Sequence, residues 1–169
     1  IYGHSGGHYG TGCEWRVYDE QGYIVILLSN RDADQGFLEA RFFIQQQIAG
    51  TSPMLDKYFF TNKVVNTYVE KGFDKSIKLI DTKHEHLDET DLNTKGYDFL
   101  KRGKIYHAID IFKLVVYAFP YSSNAYDSLA EGYLKNGETN LAILNYEKSL
   151  KLDSQNTNAK MMLEELKNK

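Results

Sequence analysis

Cysteine, proline and an excess of either charge are what this 169-residue chain has least of. Its single cysteine, Cys13, excludes an intrachain disulfide, so burial and hydrogen bonding must hold the fold. Prolines stand only at Pro53 and Pro120, which leaves long stretches free to run as helices. The net charge is −3, with Lys and Arg spread among acids, and this gives no basic face for nucleic acid. No apolar run approaches the roughly 18 residues needed to span a membrane. Metal ligation is not expected either. His4, His8 and Cys13 sit among five glycines at Gly3, Gly6, Gly7, Gly10 and Gly12, which forbid the helix that a four-residue His spacing needs. His84 and His86, near Asp88 and Asp91, read as a solvated bend. No cofactor is expected. The chain opens on Ile1 rather than Met, which suggests a piece of a longer polypeptide.

What is present is a repeat. Gly96, Phe99, Gly103, Ala108, Phe112 and Pro120 recur 34 residues later as Ala130, Tyr133, Gly137, Ala142, Tyr146 and Ser154. Leu100-Lys101 recurs as Leu134-Lys135, and Ala108-Ile109 as Ala142-Ile143. A fixed period of this length signals stacked helical hairpins, with small residues where helices cross and aromatics beside them. Residues 89–169 are therefore predicted to hold two such hairpins and a last helix over 157–168, with Ala159, Met162, Leu163 and Leu166 on its inner face. Terminal repeats need such a cover. Residues 51–88 read as a helical connector with a degenerate hairpin, because Tyr68, Gly72 and Ile77 repeat the spacing of Phe99, Gly103 and Ala108.

The order small, aromatic, small, aromatic at Gly96, Phe99, Ala108 and Phe112, closed by Pro120, resembles the tetratricopeptide repeat (TPR). The second copy departs at Ser154, where the turn proline is missing. The resemblance implies a groove facing Asn93, Tyr97, Leu100 and Lys101, then Asp127, Glu131, Leu134 and Lys135. It also implies a protein or peptide partner there. Asp127 and Glu131 would repel an acidic terminus, so a ligand held by its carboxylate is disfavoured. The rival is that the repeats pack on their own neighbouring domain or mediate dimers.

Residues 1–50 have another character. Cys13, Trp15 and Val17 alternate with Glu14, Arg16 and Tyr18, as in a half-buried strand with the former set inward. Asp19–Gly22 is a turn. Tyr23–Leu28 is continuously apolar and suits a central strand covered on both faces. Phe37, Ala40, Ile44 and Ile48 recur at helical spacing up to Gly50. The fold class expected is thus an α+β fragment, made of a glycine-rich strand, a hairpin and a helix, followed by an all-α repeat domain.

The glycine-rich run Tyr2-Gly3-His4-Ser5-Gly6-Gly7-His8-Tyr9-Gly10, followed by a hairpin ending Leu28-Ser29-Asn30 and a helix over 35–49, resembles the C-terminal end of the serine β-lactamase and penicillin-binding-protein group of hydrolases. The resemblance makes His4-Ser5-Gly6 the third motif of that group. It gives His4 a hydrogen bond or positive charge near the substrate's carboxylate or leaving group, gives Ser5 a hydrogen bond to substrate, makes Gly6 a bare strand against the acyl group, and makes the Gly7 N–H an oxyanion donor. It also implies a periplasmic or secreted location. No Ser-x-x-Lys stands in a suitable context, so this chain cannot acylate by itself. The leading expectation is a C-terminal portion of such a hydrolase with a TPR tail. The alternative is a free-standing TPR adaptor. The strand Tyr23–Asn30, lacking a neighbour in this sequence, is expected to pair with another chain, with a second copy of this one, or with polypeptide outside this sequence.

Overall fold

A computed structural model gives the structure of residues 1–8, 11–30, 35–50 and 53–168. The chain divides into two units, Ile1–Asp56 and Lys57–Lys169.

In the first unit, β-rich sequence forms β1 (Tyr2–His8), β2 (Thr11–Tyr18) and β3 (Tyr23–Ser29), an antiparallel sheet in the order β1-β2-β3. The hairpin between β2 and β3 closes on the pair Tyr18 and Tyr23, and Gly22 takes φ 72° to make the turn. Helix α1 (Gln35–Ala49) spans the residues expected and packs on β2 and β3.

The sense of the alternation is the reverse of the expected one. Glu14 and Tyr18 are buried, while Cys13 and Trp15 are exposed. Glu14 goes inward because it is paired: its carboxylate accepts from Arg16 and, at 3.4 Å, from Arg41 of α1. Two guanidinium groups offset the cost of burying one carboxylate. The opposite face aligns Cys13, Trp15 and Val17 with Leu28, Ile26 and Ile24. Here Ile24, Ile26 and Leu28 are 71%, 65% and 79% exposed. So β3 is not a central strand covered on both faces. Within the described residues of this unit it is an edge strand covered on one.

The second unit, which takes in α2 from Lys57 onward, is all-helical beyond its connections among the described residues. Helix α2 (Pro53–Lys71) begins on proline at its first turn, where the missing N–H has no helical partner to lose. Helix α3 (Phe73–Ile80) follows at once, and a short 3-10 turn occupies His84–His86. Then come α4 (Glu89–Lys101), α5 (Ile105–Ala118), α6 (Ser123–Lys135), α7 (Thr139–Leu152) and α8 (Thr157–Lys167). These are the two hairpins and the terminal helix that the period predicts, so the all-α repeat domain is present.

Local chemistry sets the boundaries. Asp88, Ser122 and Asn156 each cap a first helix by accepting a hydrogen bond from the backbone N–H three residues on, at Asp91, Ala125 and Ala159. Their spacing is the repeat period of 34 residues. Gly72, Gly103 and Gly137, at φ 85°, 71° and 82°, turn the chain into each second helix. The connection after Gly72 is one residue shorter than the other two. As a result Ser76, not Ile77, is the fourth residue of its helix, matching Ala108 and Ala142. All three are fully buried. The Ser76 hydroxyl is accommodated by donating to the carbonyl of Val64 at 3.2 Å.

Three apolar clusters run along the array. The first joins Val64, Leu92, Ile111, Leu114 and Val115. The second centres on Ala108, Ile109, Phe112 and Leu129, and the third on Ala130, Ala142, Tyr146, Ala159 and Leu163. Phe112 is the wedge of the middle cluster. Its ring lies against the bare backbone of Gly96 in α4 on one side and Gly132 in α6 on the other.

Candidate partner-binding face

Helices α4, α6 and α8 are the first helices of successive repeats, and a polar row crosses all three. Asn93 of α4 donates from Nδ2 to Ser128 Oγ of α6 at 3.0 Å. The Tyr97 hydroxyl lies 3.2 Å from the same Ser128 Oγ and 3.0 Å from Glu131 Oε2. Asp127, one turn before Glu131, receives Nδ2 of Asn156 at 3.0 Å and Nδ2 of Asn158 at 2.8 Å. Asn156 also reaches Ser149 Oγ at 2.8 Å, which ties α7 into the row.

The electrostatics of this row are one-sided. Burial raises the Asp127 carboxyl above the usual carboxylate range, and the nearby Glu131 charge adds to the rise, while the two asparagine amides oppose it. The Tyr97 hydroxyl is pushed up to about 12, chiefly by burial, with Glu131 and Asp127 contributing. Tyr146, buried behind them, is raised by burial and by the same two carboxylates. Among the described residues neither Asp127 nor Glu131 is in an ion pair; the pairs lie elsewhere, at Glu14, Glu85, Asp110 and Glu147. The Asn93 side chain is only 8% exposed, and its Oδ1 is buried without a hydrogen-bond partner.

Of the residues singled out by sequence, Asn93, Tyr97, Asp127 and Glu131 meet in this row. Leu100 packs with the Phe112 cluster and Leu134 with the Tyr146 cluster, so both contribute to the core. Lys101 and Lys135 are exposed at the ends of α4 and α6. Ser128, Asn156 and Asn158 were missed, although Asn156 could have been found from the recurrence of a capping residue at 88, 122 and 156.

A second polar cluster joins α2 to α5. The Tyr68 hydroxyl is 2.8 Å from His107 Nδ1 and donates to Asp110 Oδ2 at 3.1 Å, and Asp110 also receives Lys113 at 3.3 Å. Its charges are matched within itself, and it serves to fasten the two helices.

In the first unit, His4, Ser5 and Gly6 are exposed on β1, with His4 opposite Trp15 and Ser5 opposite Glu14. Gly7 lies in the same strand opposite Gly12. Residues 1–56 contain no lysine, so this unit supplies no Ser-x-x-Lys nucleophile. No group of three or more His, Cys, Asp or Glu that could hold a metal occurs among the described residues, and no described helix is long and apolar enough to cross a membrane.

No protein-family model and no curated protein matches this chain. Among solved structures it is similar to the first TPR of Spaghetti (RPAP3) bound to the HSP90 peptide SRMEEVD, at 15% identity and TM-score 0.48, covering 67% of this chain and 91% of that one. It is also similar to the second TPR domain of human RPAP3 in complex with the HSP70 peptide SGPTIEEVD, at 17% identity and TM-score 0.49, covering 70% of this chain and all of that one.

Proposed function

We propose that the helical unit is a protein-interaction module that takes a peptide segment of a partner along the face shared by α4, α6 and α8. The observation that carries this reading is the state of Asp127 and Glu131. Two half-buried carboxylates one turn apart, without a cation, raise the free energy of the isolated fold. A carboxyl raised by burial and by a neighbouring like charge, as Asp127 is, makes this face a candidate functional surface. Elsewhere the first helices α4, α6 and α8 carry side-chain caps, and the polar cluster of Tyr68, His107, Asp110 and Lys113 is charge-matched. A random 12-residue peptide library displayed against the full chain tests the reading. Enriched peptides should perturb backbone amide resonances of α4, α6 and α8. Enrichment of none, or perturbations confined to α5 and α7 or to the sheet, would refute it.

A second reading concerns residues 1–50 and rests on the β-lactamase-type resemblance. It is favoured by the sheet having α1 across one face while Ile24, Ile26, Leu28 and Trp15 stand exposed on the other, as in the last strands of a larger domain. In that reading His4, Ser5, Gly6 and the Gly7 N–H form one wall of an acyl-transfer site completed by other polypeptide, in a periplasmic or secreted protein. An in-frame Ser-x-x-Lys encoded upstream of the Ile1 codon supports it; an initiation codon directly before Ile1 overturns it.

A further inference from the structure

We infer that the face formed by Asn93, Tyr97, Asp127 and Glu131 recognises a cationic peptide segment, receiving an arginine side chain between the two carboxylates. This rests on the interaction reading above and specifies its partner chemistry.

The argument is one of hydrogen-bond supply. Most donors of the row are turned inward: Asn93 Nδ2 donates to Ser128, the Tyr97 O–H is shared by Ser128 and Glu131, Asn156 Nδ2 donates to Asp127 and Ser149, and Asn158 Nδ2 donates to Asp127, which leaves one N–H each on Asn93 and Asn158. Spare acceptor capacity is larger, and it carries the charge. A carboxylate offers about four lone-pair sites. Asp127 receives two side-chain hydrogen bonds and Glu131 one. Asn93 Oδ1, an acceptor inside the row, receives none. The excess of acceptors and the two carboxylates without an ion pair favour a ligand that brings donors and positive charge. A carboxylate terminus or an acidic segment brings neither, and it would meet two negative charges at close range. A guanidinium brings five N–H groups in a planar fork that matches a carboxylate, and it gives up its hydration more readily than an ammonium.

The alternative source of positive charge is the chain itself. Lys135 lies one turn beyond Glu131 on α6, yet it is exposed and forms no ion pair with it. Lys95 of α4 lies over the Tyr58 ring, 5.9 Å from its centroid. The negative character of Asp127 and Glu131 is thus left for a partner. It is also felt at Tyr97 and Tyr146, so it belongs to the face as a whole rather than to one side chain.

The test is a titration of the full chain, labelled with nitrogen-15, by the blocked peptide Ac-Gly-Ala-Arg-Ala-Arg-Ala-Gly-NH2, beside its counterpart with Glu in place of Arg. The Arg peptide should give saturable shifts at Asn93, Ser128 and Glu131 and weaken several-fold between low and moderate salt. Glu131→Gln and Asp127→Asn should each lower its affinity about tenfold while keeping the wild-type amide spectrum elsewhere. Unchanged affinity in both variants overturns the inference, as does equal or tighter binding of the Glu peptide, or no saturable binding of the Arg peptide. If the displayed library then enriches uncharged sequences on the same face, the interaction reading stands and only the cationic partner is lost.

Discussion

Replacing Gly96 with alanine should destabilise the helical unit even though it improves the helix. In α4 the change gains about 1 kcal/mol of intrinsic propensity. Against this stands the wedge. A Cβ at Gly96 would lie 2.6 Å from Cδ1 and 2.9 Å from Cζ of Phe112, and nearer still to Cε1. Carbon atoms rest at roughly 3.5–4.0 Å, so ring or helix must yield by about 1 Å. The ring has nowhere to go. Phe112 is fully buried, the Tyr97 ring lies 5.1 Å away, and the far edge of Phe112 already faces Gly132. Overpacking of this kind costs about 1–3 kcal/mol, and the near-complete confinement places this case at or above the upper end. Net destabilisation of about 2 kcal/mol is expected. Gly132→Ala is the control: its Cβ would meet Phe112 Cδ2 at 3.1 Å and Ile109 Cγ1 at 3.2 Å, which small shifts relieve, so it should be near neutral. Gly96→Ala combined with Phe112→Leu should be more stable than the sum of the single changes, by about 1 kcal/mol or more of coupling. Urea unfolding followed at 222 nm measures all four variants, and fluorescence of the only tryptophan, Trp15, reports on the other unit and should not move. A Gly96→Ala chain as stable as wild type, or no coupling to Phe112→Leu, would refute the wedge.

Three other outcomes are expected. Asn156→Ala removes the cap of α8 and one of the two amides on Asp127, so it should cost about 2 kcal/mol in the same unfolding assay, more than Ser122→Ala. Because the folded state holds the Asp127 proton above its unfolded range, folding binds protons there. Stability from this group should therefore fall as pH rises through the raised pKa, and the slope should be weaker in Asp127→Asn across a pH series of unfolding curves. The apolar sheet face should bind the dye ANS in the native state, and Ile24→Lys with Ile26→Lys should abolish most of that fluorescence without lowering helix content.

How much of this was legible beforehand varied with the physics behind each feature. The period, the two hairpins and the terminal helix follow from steric rules that repeat with the sequence, and α4–α8 lie where those rules put them, while α1 lies where its own apolar spacing puts it. Asp88, Ser122 and Asn156 were equally visible in principle, since capping depends on side-chain type. Ile77 was aligned with Ala108 because spacing was counted from the glycine. Counting from the helix start gives Ser76, and only the structure shows that the intervening connection is shorter. In the sheet, alternation gave the strand but not its sense. Polarity alone sends Glu14 outward; the two arginines that draw it inward come from different elements. The continuous apolar run of β3 implied two covered faces, a property of whatever packs against a strand and not of the strand. At the candidate face, Asp127 and Glu131 could be named from their positions in the repeat, but their lack of a cation could be known only from where the lysines go.

The recurrence of caps at 88, 122 and 156 makes chain length a free variable in this architecture. Helix α8 begins as a first helix of another repeat begins, with its own capped N-terminus, and then turns a solvated side outward through Lys160, Glu164 and Lys167. It is a lid that can be moved. Inserting a second copy of residues 123–156 before Thr157 would keep the existing α5–α6 and α7–α8 junctions and add one new junction, between α7 and the second copy of α6, since each hairpin touches only the ones beside it. Each such insertion would add one more pair of carboxylates to the row, in register with Asp127 and Glu131. The reach of the face, and with it the number of basic residues it could engage at once, would then be set by counting repeats rather than by redesigning any of them.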